Sequence, residues 1–167
     1  MQVAQLIKVV PMILPLDITA GLAGSDVINM AKWNHLAIYI QQGAWAGGTP
    51  TLTVEACSDN AGTLSPDMDF YYRRAVMGGA ALSDVWGART WCTSTGLTML
   101  ATANAATLIE MDAAEVYANR VAGVAANAGY HRVRITIGAG GAVDLIQVTA
   151  ILTQYRYAED LLKTVLD

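Results

Sequence analysis

Residues 35–41 read HLAIYIQ and residues 51–57 read TLTVEAC, and these two stretches decide the fold class. In each of them apolar and polar side chains alternate, which is typical of a β-strand with one buried face. The side chains expected on the buried faces are Leu36, Ile38 and Ile40 in the first strand and Leu52, Val54 and Ala56 in the second. The intervening GAWAGGTP is too short to hold a crossover helix, so we predict an antiparallel hairpin.

The same alternation returns near the C-terminal end, where residues 132–137 read RVRITI. The sequence GAGG follows at residues 138–141, and then the apolar stretch of residues 143–152. We therefore predict a second hairpin with GAGG as its turn. Further strands are expected in shorter stretches, namely residues 5–10, 27–31, 69–75 and 106–111, with weaker signals at residues 85–92 and 97–101.

Eight or nine short strands separated by Gly, Asn, Asp and Ser turns predict an all-β fold, an antiparallel β-sandwich or jelly roll. A parallel α/β fold is disfavoured because it needs helices between its strands. Only two stretches favour a helix. One is residues 112–118, where Asp112 and Glu115 form a capping pair, and the other is residues 158–166 near the C-terminus.

The composition points to a surface that other molecules cover. The 167 residues fit a single domain, residues 1–167, but only 14% of them are charged, against about 25% in typical soluble domains. The longest apolar run, residues 9–16, is interrupted by Pro11 and Pro15, and a membrane-spanning helix needs about 20 apolar residues. We therefore expect no membrane span and no secretory signal, and a protein made in the cytoplasm whose apolar surface is covered by other subunits.

Charge and cysteine content exclude further classes. A net charge of −4 argues against direct nucleic-acid binding, which needs clustered basic residues. Cys57 and Cys92 form no CxxC motif, and we expect buried thiols in preference to a disulfide. The run FYYRR at residues 70–74 is interpreted as a strand with aromatic side chains on both faces, with Arg73 or Arg74 pairing across a subunit boundary.

The sequence contains no catalytic or metal-binding constellation, so we expect neither an enzyme nor a cofactor. His35 and His131 fall in or beside predicted strands without a nucleophile at a recognisable spacing. Asp67 and Asp69 could be two calcium ligands, but a calcium loop requires several more at fixed positions. GAGG lacks the following helix that a dinucleotide loop requires.

The candidate interface residues lie mainly in the two terminal segments. We predict that residues 1–16, with Pro11 and Pro15, form an N-terminal contact arm, and that residues 154–167 form a C-terminal arm. The alternative is that both segments complete their own sandwich as edge strands. The interface side chains proposed in the C-terminal arm are Tyr155, Arg156 and Tyr157, because interfaces favour Tyr and Arg.

Trp45 is a further interface candidate because it stands in a Gly-rich stretch between two predicted strands. We expect it to contact another protein, since interfaces favour tryptophan. The alternative is a carbohydrate-binding module, in which exposed rings such as that of Trp45 stack on sugars.

Four stretches together resemble small structural proteins of tailed bacteriophages, of the head decoration or cement type. They are QLIKVVPMI with the following DITAGLAGSDVI, the segment HLAIYIQQGAWAGGTPTLTVEACSDNAGT, the strand RVRITIG, and the ending AILTQYRYAED. The resemblance implies a β-sandwich that assembles as a homo-oligomer, expected to be a trimer. It also implies binding to the major capsid protein on the outside of the capsid. Collar, tail and fibre proteins of the virion share such patterns and remain alternatives.

Overall fold

The computed structural model describes residues 7–76, 85–119, 130–141 and 143–155. These residues form ten strands and one short helix. The strands are β1 (Ile7–Asp17), β2 (Ile28–Asn29), β3 (Trp33–Trp45), β4 (Thr51–Cys57), β5 (Phe70–Val76), β6 (Thr90–Cys92), β7 (Leu97–Thr98), β8 (Ala105–Asp112), β9 (Arg132–Ile137) and β10 (Asp144–Tyr155). The helix, α1 (Ala113–Ala118), follows β8 directly. Each predicted strand overlaps an observed one, whereas the helix predicted at residues 158–166 lies outside the described residues.

The first described strand pairs with the last, the second with the second last, and so on to the middle of the chain. All pairs are antiparallel, and they join β1 with β10, β2 with β9, β3 with β8, β4 with β7, and β5 with β6. This is the pattern of one long hairpin with its tip at β5 and β6. Rolled up, it gives a six-stranded sheet in the order β1-β10-β3-β8-β5-β6 and a four-stranded sheet in the order β2-β9-β4-β7. The predicted fold class, an antiparallel jelly-roll sandwich, is confirmed.

Both predicted hairpins are wrong, because their strands lie in different sheets. Strand β3 pairs with β8 and β10, whereas β4 pairs with β7 and β9. The GAGG turn likewise leads from β9 in the small sheet to β10 in the large one. Stacked sheets lie about 10 Å apart, a gap that about three extended residues can span. A short Gly-rich loop can therefore cross between sheets as readily as it can close a hairpin.

The hydrophobic core lies between the two sheets and is built from the predicted faces. The apolar positions that were expected to point inward are each at most 2% exposed: Leu36, Ile38, Ile40, Leu52, Val54, Ala56, Val133, Ile135 and Ile137. The predicted capping pair also opens α1, since the Asp112 backbone N–H donates a 2.8 Å hydrogen bond to Glu115 Oε2.

The two crossing loops meet around one buried carboxylate. Asp144 is fully buried, and its Oδ1 accepts a 2.8 Å hydrogen bond from the Ala46 backbone N–H. Gly48 and Gly140 pack so closely that a Cβ on Gly48 would overlap both the Asp144 carboxylate and the Gly140 carbonyl. The residues after β3 and those after β9 are therefore fixed to each other at one end of the sandwich.

Candidate interaction surface

The exposed apolar side chains are concentrated along one edge of the six-stranded sheet. Ten large apolar side chains of the described residues are exposed, and six of them lie on β1, at the start of β10 or just before it. We call these six residues the β1 edge: Ile7, Val9, Leu14, Leu16, Val143 and Leu145. Val9 and Leu14 are the most open of those on β1, at 61% and 70% exposed. Exposed apolar side chains gathered along one strand edge indicate a site of contact with another molecule.

Strand β1 is the outermost strand of its sheet. Among the described strands it pairs only with β10, and its register shifts between Pro11 and Ile13 and again between Ile13 and Leu16. Its prolines fit this position, since proline cannot donate to a central strand ladder and occurs on edge strands. An unpaired strand edge can take up a further chain. The prolines limit backbone pairing with a further chain, so we expect a partner to bind this edge mainly through its apolar side chains.

A second, partly exposed group lies near the opposite edge of the same sheet, on β5, β8 and β6 and at the residue before β6. We call it the arginine–aromatic cluster, and it consists of Tyr71, Arg73, Arg89, Trp91 and Glu110. The rings of Tyr71 and Trp91 meet edge to face with centroids 4.6 Å apart. The guanidinium carbon of Arg89 lies 3.6 Å from the Tyr71 ring centroid, and Arg73 Nε lies 3.8 Å from Glu110 Oε2. Trp91 is 49% exposed, and Trp, Tyr and Arg are the residues that dominate binding hot spots.

The side chains of β5 contribute both to the outer face of the sheet and to the space between the two sheets. Because side chains alternate along a strand, the run YYRR puts one tyrosine and one arginine on each face. Tyr71 and Arg73 face outward, and Arg73 is the arginine that can reach a partner. Arg74 points between the sheets, where its Nη2 donates a hydrogen bond to the Thr98 carbonyl.

The interface residues that we proposed from the sequence lie in different parts of the structure. Pro11 and Pro15 lie in β1, so residues 7–16 are part of an edge strand that is paired within the chain. Trp45 ends β3, packs against the core, and donates a 2.7 Å hydrogen bond from its indole Nε1 to the Gly48 carbonyl. Tyr155 ends β10 and meets Trp33 edge to face at 4.9 Å. Trp45 and Tyr155 therefore contact their own chain and do not join the β1 edge.

The other two proposed interface residues, Arg156 and Tyr157, lie outside the described residues. The start predicted for the C-terminal arm, residue 154, falls within the observed strand β10. Any arm at this end therefore begins after Tyr155.

The side chains of three of the four polar residues considered as catalytic or metal-binding candidates have local partners. His35 Nδ1 lies 3.0 Å from Asp112 Oδ1, and the His131 ring stacks on Tyr117 with centroids 5.7 Å apart. Asp69 accepts a 2.7 Å hydrogen bond from the Ser94 backbone N–H. Within the four described ranges, no three His, Cys, Asp or Glu residues are grouped to hold a metal ion.

Both cysteines are free and buried. Burial raises the pKa of the Cys57 thiol to about 11, and it also raises the pKa of Cys92. These thiols pack as small apolar side chains. In the described part of the chain, no helix has both the length and the apolar character needed to cross a membrane.

Several residues of the two exposed groups were not singled out from the sequence. Arg89 and Glu110 join Tyr71 only through the pairing of β5 with β8 and the approach of β6. The exposure of Leu145, by contrast, could have been predicted from the sequence of β10. Strand β10 carries apolar residues on both faces, with Leu145 and Ile151 alternating against the buried set, and an apolar outward position indicates a covered face.

Comparisons with known proteins give one distant structural likeness. No protein-family model matches the chain, and no curated protein matches it. Among solved structures, a similar chain is the one titled "Crystal structure of SPBc2 prophage-derived protein YomS". The two chains are 9% identical at a TM-score of 0.45, and the match covers 89% of this chain and 93% of that chain. A likeness this distant carries no argument about what this chain does.

Proposed function

We propose that this chain is a non-enzymatic structural protein of a bacteriophage virion, a capsid decoration or cement protein. In this proposal it is made in the host cytoplasm, assembles with itself, and binds the major capsid protein lattice on the capsid exterior. The observation that carries the proposal is the gathering on the β1 edge of six of the ten exposed large apolar side chains in the described part of the chain. The resemblance of the sequence to small phage structural proteins is the reason for naming the virion as its location and the major capsid protein as its partner.

The energetics favour a covered surface. Each square ångström of apolar surface removed from water contributes about 25 cal/mol, and a standard interface buries about 1,600 Å² in total. A chain with only 14% charged residues has apolar surface available for such contacts. Repeated over many copies on a lattice, even contacts of modest net affinity reinforce a shell.

The placement of the two exposed groups supports a ring of copies. The β1 edge and the arginine–aromatic cluster lie toward opposite edges of one sheet and differ in chemistry. If the β1 edge of one copy binds the cluster of the next, the contact is heterologous, and such contacts close into a ring when the rotation permits. A trimer is the proposed ring. The β1 edge of one copy contacts the arginine–aromatic cluster of the next, and decoration of the lattice depends on the assembled ring.

The proposal is tested by decorating particles that lack this protein. Shells assembled from the major capsid protein alone should bind the full chain, and a charge-introducing variant of the β1 edge, Leu14→Lys, should bind with at least tenfold lower occupancy. The matched control is Leu64→Lys, because Leu64 is also exposed, at 40%, but lies on the loop between β4 and β5. Equal occupancy for all three proteins, or no binding of the full chain, would contradict the proposal.

The predicted C-terminal arm has its own test. A chain ending after Tyr155 keeps every described strand, and we expect it to fold and to decorate shells poorly. Unchanged occupancy would show that residues 156–167 are not a contact arm.

A carbohydrate-binding module is the second candidate, and the exposed Trp91 ring beside Tyr71 and Glu110 favours it. Such rings stack on sugar faces while a carboxylate accepts hydroxyl hydrogen bonds. Tryptophan fluorescence should then shift on titration with oligosaccharides and lose that response in Trp91→Ala. No response across a glycan panel would leave the structural role as the better proposal.

A further inference from the structure

Three polar side chains lie together on the inner face of the six-stranded sheet, away from both exposed groups. They are Gln42 on β3, Thr107 on β8 and Arg74 on β5. Thr107 is directly opposite Ile40 on one side and Arg74 on the other. Gln42 is two residues beyond Ile40 on the same face, and such diagonal neighbours are within reach of long side chains.

Each of these side chains has one buried polar atom without a hydrogen-bond partner in the described parts of the chain. The atoms are Gln42 Oε1, Thr107 Oγ1 and Arg74 Nε. They make up three of the five such side-chain atoms in the described residues. Gln42 is 1% exposed and Thr107 is fully buried. Unpartnered polar atoms are rare in protein interiors, so three on adjacent strands indicate a shared ligand.

The orientations of the two long side chains are fixed by β7 and the segment that follows it. Gln42 Nε2 donates a 2.9 Å hydrogen bond to the Leu100 carbonyl, so the amide oxygen must be the free atom of that amide. Arg74 donates through Nη2 to the Thr98 carbonyl, and its buried Nε is a donor without a partner among the described residues. The cluster therefore presents one N–H donor, one carbonyl acceptor and one hydroxyl that can do either.

We propose that this cluster is a binding site for a single ordered water molecule, inside the sandwich. The water accepts a hydrogen bond from Arg74 Nε and donates one to Gln42 Oε1. Its second hydrogen is donated to Thr107 Oγ1, or it accepts from the Thr107 hydroxyl. Three polar partners are the usual number for a buried water. This inference is independent of the proposed function.

Water fits the cluster better than an anion does. An anion would satisfy the donors of Arg74 and Thr107 but would be repelled by Gln42 Oε1, which only accepts. Burial lowers the pKa of Arg74, and a water dipole beside Nε offsets part of that lost solvation. The bound water would link three strands of the large sheet to the segment at residues 98–102, whose carbonyls already hold two of the side chains.

A first experiment locates the ligand directly. A crystal structure of the full chain, grown without phosphate or sulfate at a resolution of about 1.5 Å, should show one water within about 2.7 to 3.2 Å of all three atoms. A chloride or other anion at that position, or side chains that hydrogen-bond one another directly, would overturn the proposal.

A second experiment asks whether removing the Thr107 hydroxyl lowers or raises the stability of the fold. Thr107→Val keeps the shape of the side chain and removes the hydroxyl. If the water is present, the variant loses a hydrogen bond, and its unfolding equilibrium constant should rise about threefold to tenfold. If the cluster is dry, the variant removes an unsatisfied group and should be as stable as the unaltered protein or more so. The matched control, Thr149→Val on the outer face of β10, should change stability little.

Discussion

The self-association of the chain should depend on Val9 and Leu14, the two most open side chains of β1, at 61% and 70% exposed. Full burial of a Val or Leu side chain contributes about 1.5 to 3 kcal/mol, so covering the exposed shares contributes about 1 to 2 kcal/mol for each residue. The double substitution Val9→Ser with Leu14→Ser should then weaken one contact by about 2 to 4 kcal/mol, or roughly 30- to 700-fold in Kd.

Sedimentation velocity over a dilution series measures this change. The double variant should dissociate to monomer at concentrations where the unaltered chain is an oligomer, while urea unfolding of the monomer shifts by no more than about 0.5 kcal/mol. Leu64→Ser, on the loop between β4 and β5, should leave the association unchanged. A monomeric unaltered chain, or equal dissociation constants for all proteins, would show that the β1 edge does not mediate self-association.

Three further predictions follow from buried or hydrogen-bonded groups. Gly48→Ala should lower the free energy of unfolding by about 2 kcal/mol or more in urea titrations, because the added Cβ would overlap the Asp144 carboxylate. The control is Gly138→Ala, whose Cβ would meet only Thr51 backbone atoms at 3.7 Å. It should change the free energy of unfolding by less than about 1 kcal/mol. Hydrogen bonds from the backbone and side chain of Thr63 hold the pKa of Asp59 below its ordinary value of 3.8, so this carboxylate stabilises the fold above that value and its contribution is lost as the pH falls through the lower folded value. Asp59→Asn should therefore lose less stability than the unaltered protein when urea midpoints are compared between about pH 5 and pH 2. Cys57, with its pKa raised to about 11 by burial, should resist iodoacetamide at pH 8 in the native protein and react after unfolding, as measured by mass spectrometry.

Strand positions and buried faces could be predicted from the sequence because alternation is a local property. Residues 51–57 were predicted as a strand, and β4 has those bounds. Strand partners could not be predicted in the same way. The five residues after Trp45 cross between the sheets, although their length and glycines also suit a hairpin. Alternation specifies which face is buried, and it does not specify which strand lies alongside.

The candidate surface was only partly predictable for the same reason. Pro11 and Pro15 marked β1 as a strand outside the centre of a sheet, and β1 is an edge strand. The contact between Arg89 and Tyr71 depends on the approach of β6 to β5, which no local pattern encodes. Trp45 stood in a Gly-rich stretch that suggested an exposed loop tip, but its indole packs against the core and binds the Gly48 carbonyl.

A cryo-electron microscopy map of intact phage particles that contain this chain would show directly whether it decorates the capsid. We expect jelly-roll density on the outside of the capsid lattice, arranged as a closed ring of copies, with Val9 and Leu14 buried against another protein chain. Particles purified without this chain, or a map in which the β1 edge faces solvent in every copy, would contradict this expectation.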